Sequence, residues 1–442
     1  MQSPRMVLQG GQKGGLIVRQ HQLRRAASGG GLDYNELAKL RPTPLSLKNM
    51  YLYALSGSSK TGDDLDNRQR IRNAVFLQRE LPIRIAQRAV DLESLPYGLA
   101  RTSPVRRICH IYRGYVEQLT GLKSPSDTKS EEEFTNILKS QVLDRSTIPN
   151  SINEGLNSLK DDRREVLTPR SLKMMDQALY AFFLARVGLR FLTEHHIACE
   201  PRSRELGVNG GLIDNKCDPV KECETVIESV RESCVEKFGV APSIELVPIF
   251  PNKSRTMTYV PTHLRYMISE LLLNSAEATI KHHYVPDDSK PKVGTLNAVK
   301  ANQSSKLPPI RIIVAVGAED VSIKIGDQGG GVARSDMDKI WTFAASTLAK
   351  EETMKSDAHD NVEQNIRGFG LPLARIYARY FGGELTLKSM EGYGVDTYLH
   401  LPVLGTDCEN LPDAVENSPG NTDSNENQEG QQSWANLLKK QL

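Results

Sequence analysis

The sequence lacks several features by which protein classes are commonly recognised. Its 442 residues carry a formal net charge of only +2, so no bulk electrostatic argument favours a nucleic-acid or membrane-surface partner. No run of apolar residues approaches the roughly 18 that a transmembrane helix requires, and we expect no integral membrane segment. The six cysteines show no C-x-x-C spacing, which disfavours a zinc site and makes a reducing compartment the simplest interpretation.

Acidic residues are absent from residues 1–32. Five basic residues lie there, interleaved with Gln, Gly and Ser: Arg5, Lys13, Arg19, Arg24 and Arg25. A composition rich in arginine and poor in acids is typical of mitochondrial presequences. We therefore expect residues 1–32 to be a presequence. The alternative is a basic tail without a targeting role.

The rest of the chain divides by pattern into two domains and a tail. Residues 34–200 carry long segments with apolar residues at three- and four-residue spacing, which predicts a helical bundle, with Pro82 bending or restarting one helix. Residues 215–404 mix helical and strand patterns with two hairpins, which predicts a mixed sheet covered by helices on one face. Residues 405–442 are acidic and rich in Asn and Ser, and we expect them to be disordered. The predicted fold class is α+β.

Two glycine-rich stretches indicate places where the backbone approaches a ligand closely. GDQGGGV, residues 326–332, follows a predicted strand and matches neither the P-loop nor the dinucleotide fingerprint. The second stretch, Gly368-Phe369-Gly370-Leu371, introduces a predicted helix whose free N–H groups and positive dipole suit a phosphate. Neither stretch is specific by itself.

A predicted helix from Thr262 combines a buried apolar stripe with a polar ridge of Glu270, Asn274 and Glu277. These three residues are spaced i, i+4 and i+7 and therefore lie along one side of the helix. A carboxylate beside an amide supplies hard oxygen ligands suited to Mg²⁺ that bridges substrate phosphates. A solvated helix face would also explain the ridge.

The order of these elements is more specific than any one of them: a helix with E-x-x-x-N, a strand ending in D-x-G-x-G, a long polar loop and a G-x-G-L helix. This order resembles the GHKL superfamily of ATP-binding proteins. FLQRELPIRIAQR, SLPYGLARTSPV and FFLARVGLRFLTEHHI narrow the resemblance to the mitochondrial 2-oxo acid dehydrogenase kinases, which comprise the pyruvate and branched-chain ketoacid dehydrogenase kinases.

The resemblance implies an N-terminal helical bundle followed by a GHKL-type α/β sandwich. It implies a serine kinase of the mitochondrial matrix that uses ATP and Mg²⁺. The expected substrate is the decarboxylase subunit of a 2-oxo acid dehydrogenase complex, and the pyruvate dehydrogenase complex is the preferred choice. Phosphorylation would inactivate that complex. The expected partners are the lipoyl domain of the acyltransferase core, as a docking site, and a second copy of the chain in a homodimer.

The resemblance also assigns roles to residues. Glu270 is the expected general base, Asn274 the Mg²⁺ ligand and Asp327 the acceptor for the adenine amino group. Gly329 and Gly331 would let the backbone turn close to the nucleotide. Further residues are expected at the ATP site: Glu277, Ser346, Thr347, Arg367, Gly368, Phe369, Gly370 and Leu371. Arg186 and Arg190 match basic positions of the family's regulatory pocket in the bundle, where a family histidine is replaced by Asp144 or Arg145.

Four positions depart from the family pattern: Leu273, Glu277, Ile366 and Val395. Glu277 puts a repulsive charge where the family has an arginine, and Val395 lacks a hydroxyl that reaches the nucleotide. These departures leave a non-catalytic ATP-binding scaffold of the same complex as an alternative.

Two other kinds of kinase are alternatives to a pyruvate dehydrogenase kinase. Tyr266 stands where pyruvate-side members carry a histidine, which leaves a branched-chain ketoacid dehydrogenase kinase as an alternative. A two-component histidine kinase would need an acceptor histidine followed by an acid, a pattern that His195-His196 does not show.

Overall fold

The computed structural model describes nine stretches of the chain: residues 34–55, 63–145, 148–162, 168–200, 211–250, 255–283, 307–343, 369–403 and 405–411. The predicted presequence and residues 412–442 of the predicted tail lie outside these stretches. Within them, no helix has both the length and the apolar character needed to cross a membrane.

The helical half contains seven of the described α-helices: α1 (Tyr34–Ala38), α2 (Leu47–Leu55), α3 (Asp63–Glu93), α4 (Ser103–Gly121), α5 (Thr128–Arg145), α6 (Ile148–Asp162) and α7 (Pro169–Ala198). The long helix α3 packs against α4 and α7, and α7 also contacts α5. The start of α7 is set locally, because the Thr168 hydroxyl accepts a hydrogen bond from the Ser171 N–H at 3.2 Å. The predicted helical bundle is confirmed.

Helix α3 shows how the apolar pattern becomes a core. Leu77, Leu81 and Ile85 recur at four-residue spacing, and all three are buried. Pro82 lies inside α3, which runs as one helix from Asp63 to Glu93, so the expectation that the helix restarts at this proline is wrong. A proline removes one N–H from the helix ladder, and the surrounding packing of α3 tolerates that loss.

The second half is built on a five-stranded sheet with the strand order β2–β4–β5–β7–β6. Its strands are β2 (Ile244–Ile249), β4 (Ile310–Val316), β5 (Asp320–Gly326), β6 (Glu384–Met390) and β7 (Gly394–Pro402). Strand β2 is parallel to β4, and the other neighbours are antiparallel, so both predicted hairpins are confirmed. A separate two-stranded sheet, which the sequence patterns did not predict, pairs β1 (Asp214–Cys217) with β3 (Met257–Tyr259).

Helices cover one face of the five-stranded sheet: α8 (Pro219–Phe238), α9 (Pro261–His283) and α10 (Gly370–Tyr380). The strands alternate accordingly, since Ile310 and Ile312 of β4 are buried whereas Arg311 between them is exposed. The predicted fold class is confirmed as a helical N-terminal half followed by a mixed sheet with helices on one face.

The two halves share one hydrophobic core and belong to one compact unit. Phe191 of α7 packs edge-on against Phe381 at the end of α10, with ring centroids 5.4 Å apart. The predicted boundary between residues 200 and 215 therefore marks a change of architecture within continuous packing.

Residues 405–411, which the sequence places in a disordered tail, are instead packed against both halves. Glu409 is buried, and its carboxylate accepts hydrogen bonds from Arg84 of α3 at 2.6 and 3.0 Å. The Tyr380 hydroxyl of α10 also donates to Glu409, and Asn410 N–H donates to the Tyr380 carbonyl at 2.9 Å. Arg84 also pairs with buried Glu80 at 3.1 Å, so Glu409 adds a second carboxylate to this buried arginine and attaches this part of an otherwise polar tail to α3.

Candidate functional site

Glu270 is a buried carboxylate on α9, the helix that the sequence predicts to carry the polar ridge. Its neighbours Leu271 and Leu272 face the core, so Glu270 is drawn into an apolar setting and is 7 % exposed. Burial, reinforced by the negative charge of Glu277, raises the pKa of Glu270 to about 8. Its Oε1 atom makes no hydrogen bond within the described part of the chain. A buried carboxylate with a raised pKa and an unused oxygen is a strong candidate for proton transfer.

The N-terminus of α10 lies directly against this carboxylate. A side chain at Gly370 would overlap Oε2 of Glu270, so any larger residue there would displace the carboxylate from its present position. Phe369, immediately before the helix, is fully buried, whereas Gly370 and Leu371 are partly exposed. The first N–H groups of a helix have no intrahelical partner and attract anions. The structure thus brings the predicted base and the predicted phosphate seat together.

The other two members of the ridge have different surroundings. Asn274, one turn after Glu270, is exposed and available as an oxygen ligand. Glu277 is partly exposed and pairs with Lys237 of α8 and with Lys281, whose Nζ lies 3.1 Å from Oε2. Burial opposes ionisation of Glu277, but these two lysines outweigh it and hold its pKa below the usual range. The charge that the sequence suggested would repel phosphate is therefore largely neutralised.

Asp327 lies at the end of β5, where the glycine-rich stretch begins. It is buried, and its Oδ1 accepts hydrogen bonds from the N–H groups of Gly329 at 2.9 Å and Val395 at 3.2 Å. The Asp327 N–H in turn donates to the Val395 carbonyl at 2.9 Å. These bonds fix the side chain through one oxygen and leave Oδ2 to accept from a ligand donor.

The glycines after Asp327 make close approaches to the protein itself. A Cβ on Gly329 would lie 2.6 Å from the Cβ of Ala278 in α9, so this glycine lets the loop pack on the helix that carries Glu270. Gly331 has a φ of 74° and lies against the Met390 carbonyl at the β6–β7 turn. Both glycines contact other parts of the protein, and these contacts hold Asp327 beside α9.

Two contributors to the Asp327 environment were not predicted. Gly394 lies so close to the Asp327 carbonyl that any side chain would overlap it. Val395 contributes through its backbone, which forms the two hydrogen bonds to Asp327 described above. The two glycines of EGYG, residues 391–394, are the sequence signal that could have indicated the close approach of Gly394 to Asp327. The role of Val395 depends on strand pairing, which a side-chain pattern does not reveal.

Several predicted residues lie outside the described part of the chain: Ser346, Thr347, Ile366, Arg367 and Gly368. The side chains of Asp144 and Arg145 also lie outside it. Tyr266 is one turn before Glu270 on α9 and packs against Tyr377 of α10, with ring centroids 5.0 Å apart. In this chain an aromatic contact thus occupies the place of the family histidine.

Arg186 and Arg190, the predicted regulatory residues, lie one turn apart on α7. Arg186 is buried, and Arg190 is partly exposed and donates through Nε to Glu194 of the same helix. The structure places them in the helical half on the helix that contacts α10. Their expected role as an effector pocket remains a prediction.

Comparison with known proteins covers both halves. The family model described as mitochondrial branched-chain alpha-ketoacid dehydrogenase kinase matches residues 44–218. The model described as histidine kinase-, DNA gyrase B- and HSP90-like ATPase matches residues 259–405.

Curated relatives match over most of their length. The mitochondrial [pyruvate dehydrogenase (acetyl-transferring)] kinase of Arabidopsis thaliana is 35% identical, over 86% of this chain and 96% of the relative. The mitochondrial isozyme 4 of the same kinase from Homo sapiens is 30% identical over 88% of this chain and 90% of the relative. The mitochondrial kinase of this name from Schizosaccharomyces pombe is 30% identical over 85% of this chain and 97% of the relative.

Proposed function

Because this chain belongs to the family of mitochondrial pyruvate dehydrogenase kinases, we propose that it transfers the γ-phosphoryl group of ATP to a serine of the pyruvate dehydrogenase decarboxylase subunit and so inactivates that enzyme. The observation that carries the proposal is the buried Glu270 carboxylate against the glycine start of α10. Phosphoryl transfer requires positioned phosphates, neutralised charge and one proton acceptor, and this site supplies the elements for all three.

Glu270 accepts the proton of the substrate hydroxyl through its unused oxygen. With a pKa of about 8, the carboxyl is largely protonated at neutral pH while the site is empty. A cation bound beside it favours the ionised form, so loading of the site prepares the base. The raised pKa also makes the carboxylate a stronger base once the proton is released.

The residues fit a Mg²⁺-bound nucleotide. Asn274 offers an exposed amide oxygen next to the buried Glu270, and α10 presents its N-terminus to the same place. Within the described residues, no group of three or more His, Cys, Asp and Glu side chains forms a metal site. That finding agrees with Mg²⁺ held mainly by phosphates and water, with Asn274 as a protein ligand. Bound there, the metal ion would neutralise phosphate charge.

Asp327 orients the other end of the nucleotide. Its Oδ1 is held by two backbone donors, so Oδ2 can accept from the adenine amino group without moving. We assign Ser346, Thr347, Arg367 and Gly368 to the phosphates, as the family resemblance implies.

We also propose a homodimer in the mitochondrial matrix, with the lipoyl domain of the acyltransferase core as docking partner. The sheet face opposite the three helices carries Val247, Ile313, Lys324 and Tyr398 in one row across four neighbouring strands. Val247 and Ile249 on the edge strand β2 are 40% and 46% exposed. A face that combines exposed apolar side chains with charged ones is suited to contact with a second copy of the chain.

A branched-chain ketoacid dehydrogenase kinase is the second candidate, because the family model that matches the helical half carries that description. A histidine kinase is disfavoured by burial. His195 is 1% exposed, and Nε2 lies 3.1 Å from the Met50 carbonyl. His196 is 4% exposed and contacts Thr135 and Glu131. Neither ring can reach a phosphate donor.

The deciding experiment incubates the protein and Mg²⁺ with labelled ATP and each purified dehydrogenase complex. We expect acid-stable label on the decarboxylase subunit of pyruvate dehydrogenase. Label on the branched-chain subunit alone would select the second candidate, and acid-labile label would indicate a histidine kinase. ATP binding without any label would leave the scaffold alternative.

A further inference from the structure

One face of α7, a helix of the helical half, contacts the second half of the chain, which contains the five-stranded sheet and is called the nucleotide-binding half below. Asp176, Tyr180 and Phe183 are spaced i, i+4 and i+7 and so lie on the same side of the helix. Asp176 Oδ1 accepts a hydrogen bond from the Phe343 N–H at 2.8 Å. The Tyr180 hydroxyl lies 3.5 Å from Arg379 of α10. Both contacts join the bundle to the second half of the chain, but only the Phe343 contact is close to the phosphate end of the site, because Arg379 lies at the opposite end of α10 from Gly370.

Phe183 holds two separate points of the nucleotide-binding half. Its ring stacks on Phe343, with centroids 4.8 Å apart, and meets Phe369 edge-on at 5.6 Å. Phe343 and Phe369 also contact each other at 5.1 Å. All three side chains are at most 1% exposed, so the cluster is closely packed.

The cluster is one residue away from the catalytic carboxylate. Phe369 is followed by Gly370, whose Cα lies against Glu270. Glu270 is fixed by α9, whereas Phe369 is fixed by Phe183 of α7. The separation between the base and the phosphate seat therefore depends on a side chain of the helical half.

We propose that Phe183 and Asp176 are positioning residues for the phosphate end of the active site. The proposal rests on the proposed ATP-dependent phosphoryl transfer and adds two bundle residues to the machinery that aligns it. Neither touches substrate, and both act through Phe369 and Phe343. Their loss should weaken binding of phosphates and slow transfer, while adenine recognition at Asp327 on β5 is preserved.

The test compares matched variants by the affinities for ATP with Mg²⁺ and for adenosine, which lacks phosphates. Phe183→Leu is paired with Phe134→Leu, because Phe134 is equally buried in the helical half but its ring contact is with His196, away from the cluster. Asp176→Ala removes the acceptor for Phe343 N–H, and Asp176→Asn retains an oxygen that can replace it.

We expect Phe183→Leu and Asp176→Ala to weaken ATP binding about fivefold, as for the loss of one ordinary hydrogen bond or close contact. Adenosine affinity should stay constant in both variants. Phe134→Leu should leave the ratio of ATP affinity to adenosine affinity unchanged, and Asp176→Asn should keep that ratio near the wild-type value. Should Phe183→Leu fail to fold, the Asp176 pair decides. Equal losses for ATP and adenosine, or equal effects of Phe134→Leu and Phe183→Leu, would overturn the proposal. Absence of ATP binding by the wild type would instead contradict the proposed function.

Discussion

Replacing Glu270 with glutamine should change the pH dependence of stability in a calculable way. The ordinary pKa of a glutamic acid is 4.5, and burial raises that of Glu270 to about 8 in the folded protein. A raised folded-state pKa means that the proton stabilises the native form. This contribution is complete below pH 4.5 and is lost as pH rises towards and through 8.

The difference between the folded and unfolded pKa values of Glu270 sets how strongly stability depends on pH. Between the two pKa values the unfolded chain has released the proton and the folded chain keeps it, so the free energy of unfolding falls by about 1.4 kcal/mol per pH unit. From pH 6 to pH 8 the loss sums to roughly 2 kcal/mol, since half of the folded molecules are ionised at the upper end. Glutamine has a similar shape and stays neutral, so the variant lacks this term.

The assay is urea denaturation of the nucleotide-free wild type and Glu270→Gln at pH 6, 7 and 8. The stability of the variant relative to wild type should rise by roughly 2 kcal/mol across this range, while phosphoryl transfer falls ~10²–10⁴-fold through loss of the base. Glu391→Gln, at an exposed position, is the control and should show a constant difference. A pH-independent difference for Glu270→Gln would refute the assigned burial and charge state of Glu270.

Four other substitutions test separate parts of the structure. Asn274→Ala should weaken ATP binding chiefly when Mg²⁺ is present, whereas Asp327→Ala should weaken it with or without Mg²⁺; calorimetry that finds the same metal dependence for both would contradict these assignments. Glu409→Gln should lower the free energy of unfolding, measured by denaturation, by about 2 kcal/mol, because Arg84 loses one of its two buried carboxylate partners and keeps Glu80. The exposed Asp407→Asn should be nearly neutral in the same measurement. Tyr398→Ala should raise the concentration at which a homodimer dissociates, and light scattering that gives a monomer mass for the wild type at micromolar concentration would reject the dimer.

Much of the fold was predictable because it depends on local patterns. The spacing of Leu77, Leu81 and Ile85 predicts a buried helix stripe, and alternation in RIIVAV and DVSIKI predicts paired strands. The small sheet of β1 and β3 escaped prediction because each strand is four residues or shorter, too short to show a period. The packing of residues 405–411 depends on Glu409 finding Arg84, which is 325 positions away in sequence.

The sequence predicts which residues form the candidate site better than it predicts how deeply each of them is buried. Helical spacing places Glu270 and Asn274 on one ridge, yet the structure buries the first and exposes the second. That difference arises because α10 covers one turn of α9 with Gly370, a contact between elements about 100 residues apart. The positioning role proposed for Phe183 is similarly long-range, and its sequence context is that of any core phenylalanine.

The structure shows what surrounds three of the residues that depart from the family pattern, Leu273, Glu277 and Val395. Glu277 would repel phosphate if it were isolated, but Lys237 and Lys281 both pair with it. Val395 has no hydroxyl, yet its N–H and carbonyl both form hydrogen bonds with Asp327, so this strand still fixes the proposed adenine acceptor. Leu273 is partly buried at the hydrophobic core and does not displace Glu270 or Asn274. Since the three departures that the structure describes leave the proposed base Glu270, the proposed metal ligand Asn274 and the proposed adenine acceptor Asp327 in place, they weigh against the non-catalytic scaffold and in favour of an active kinase.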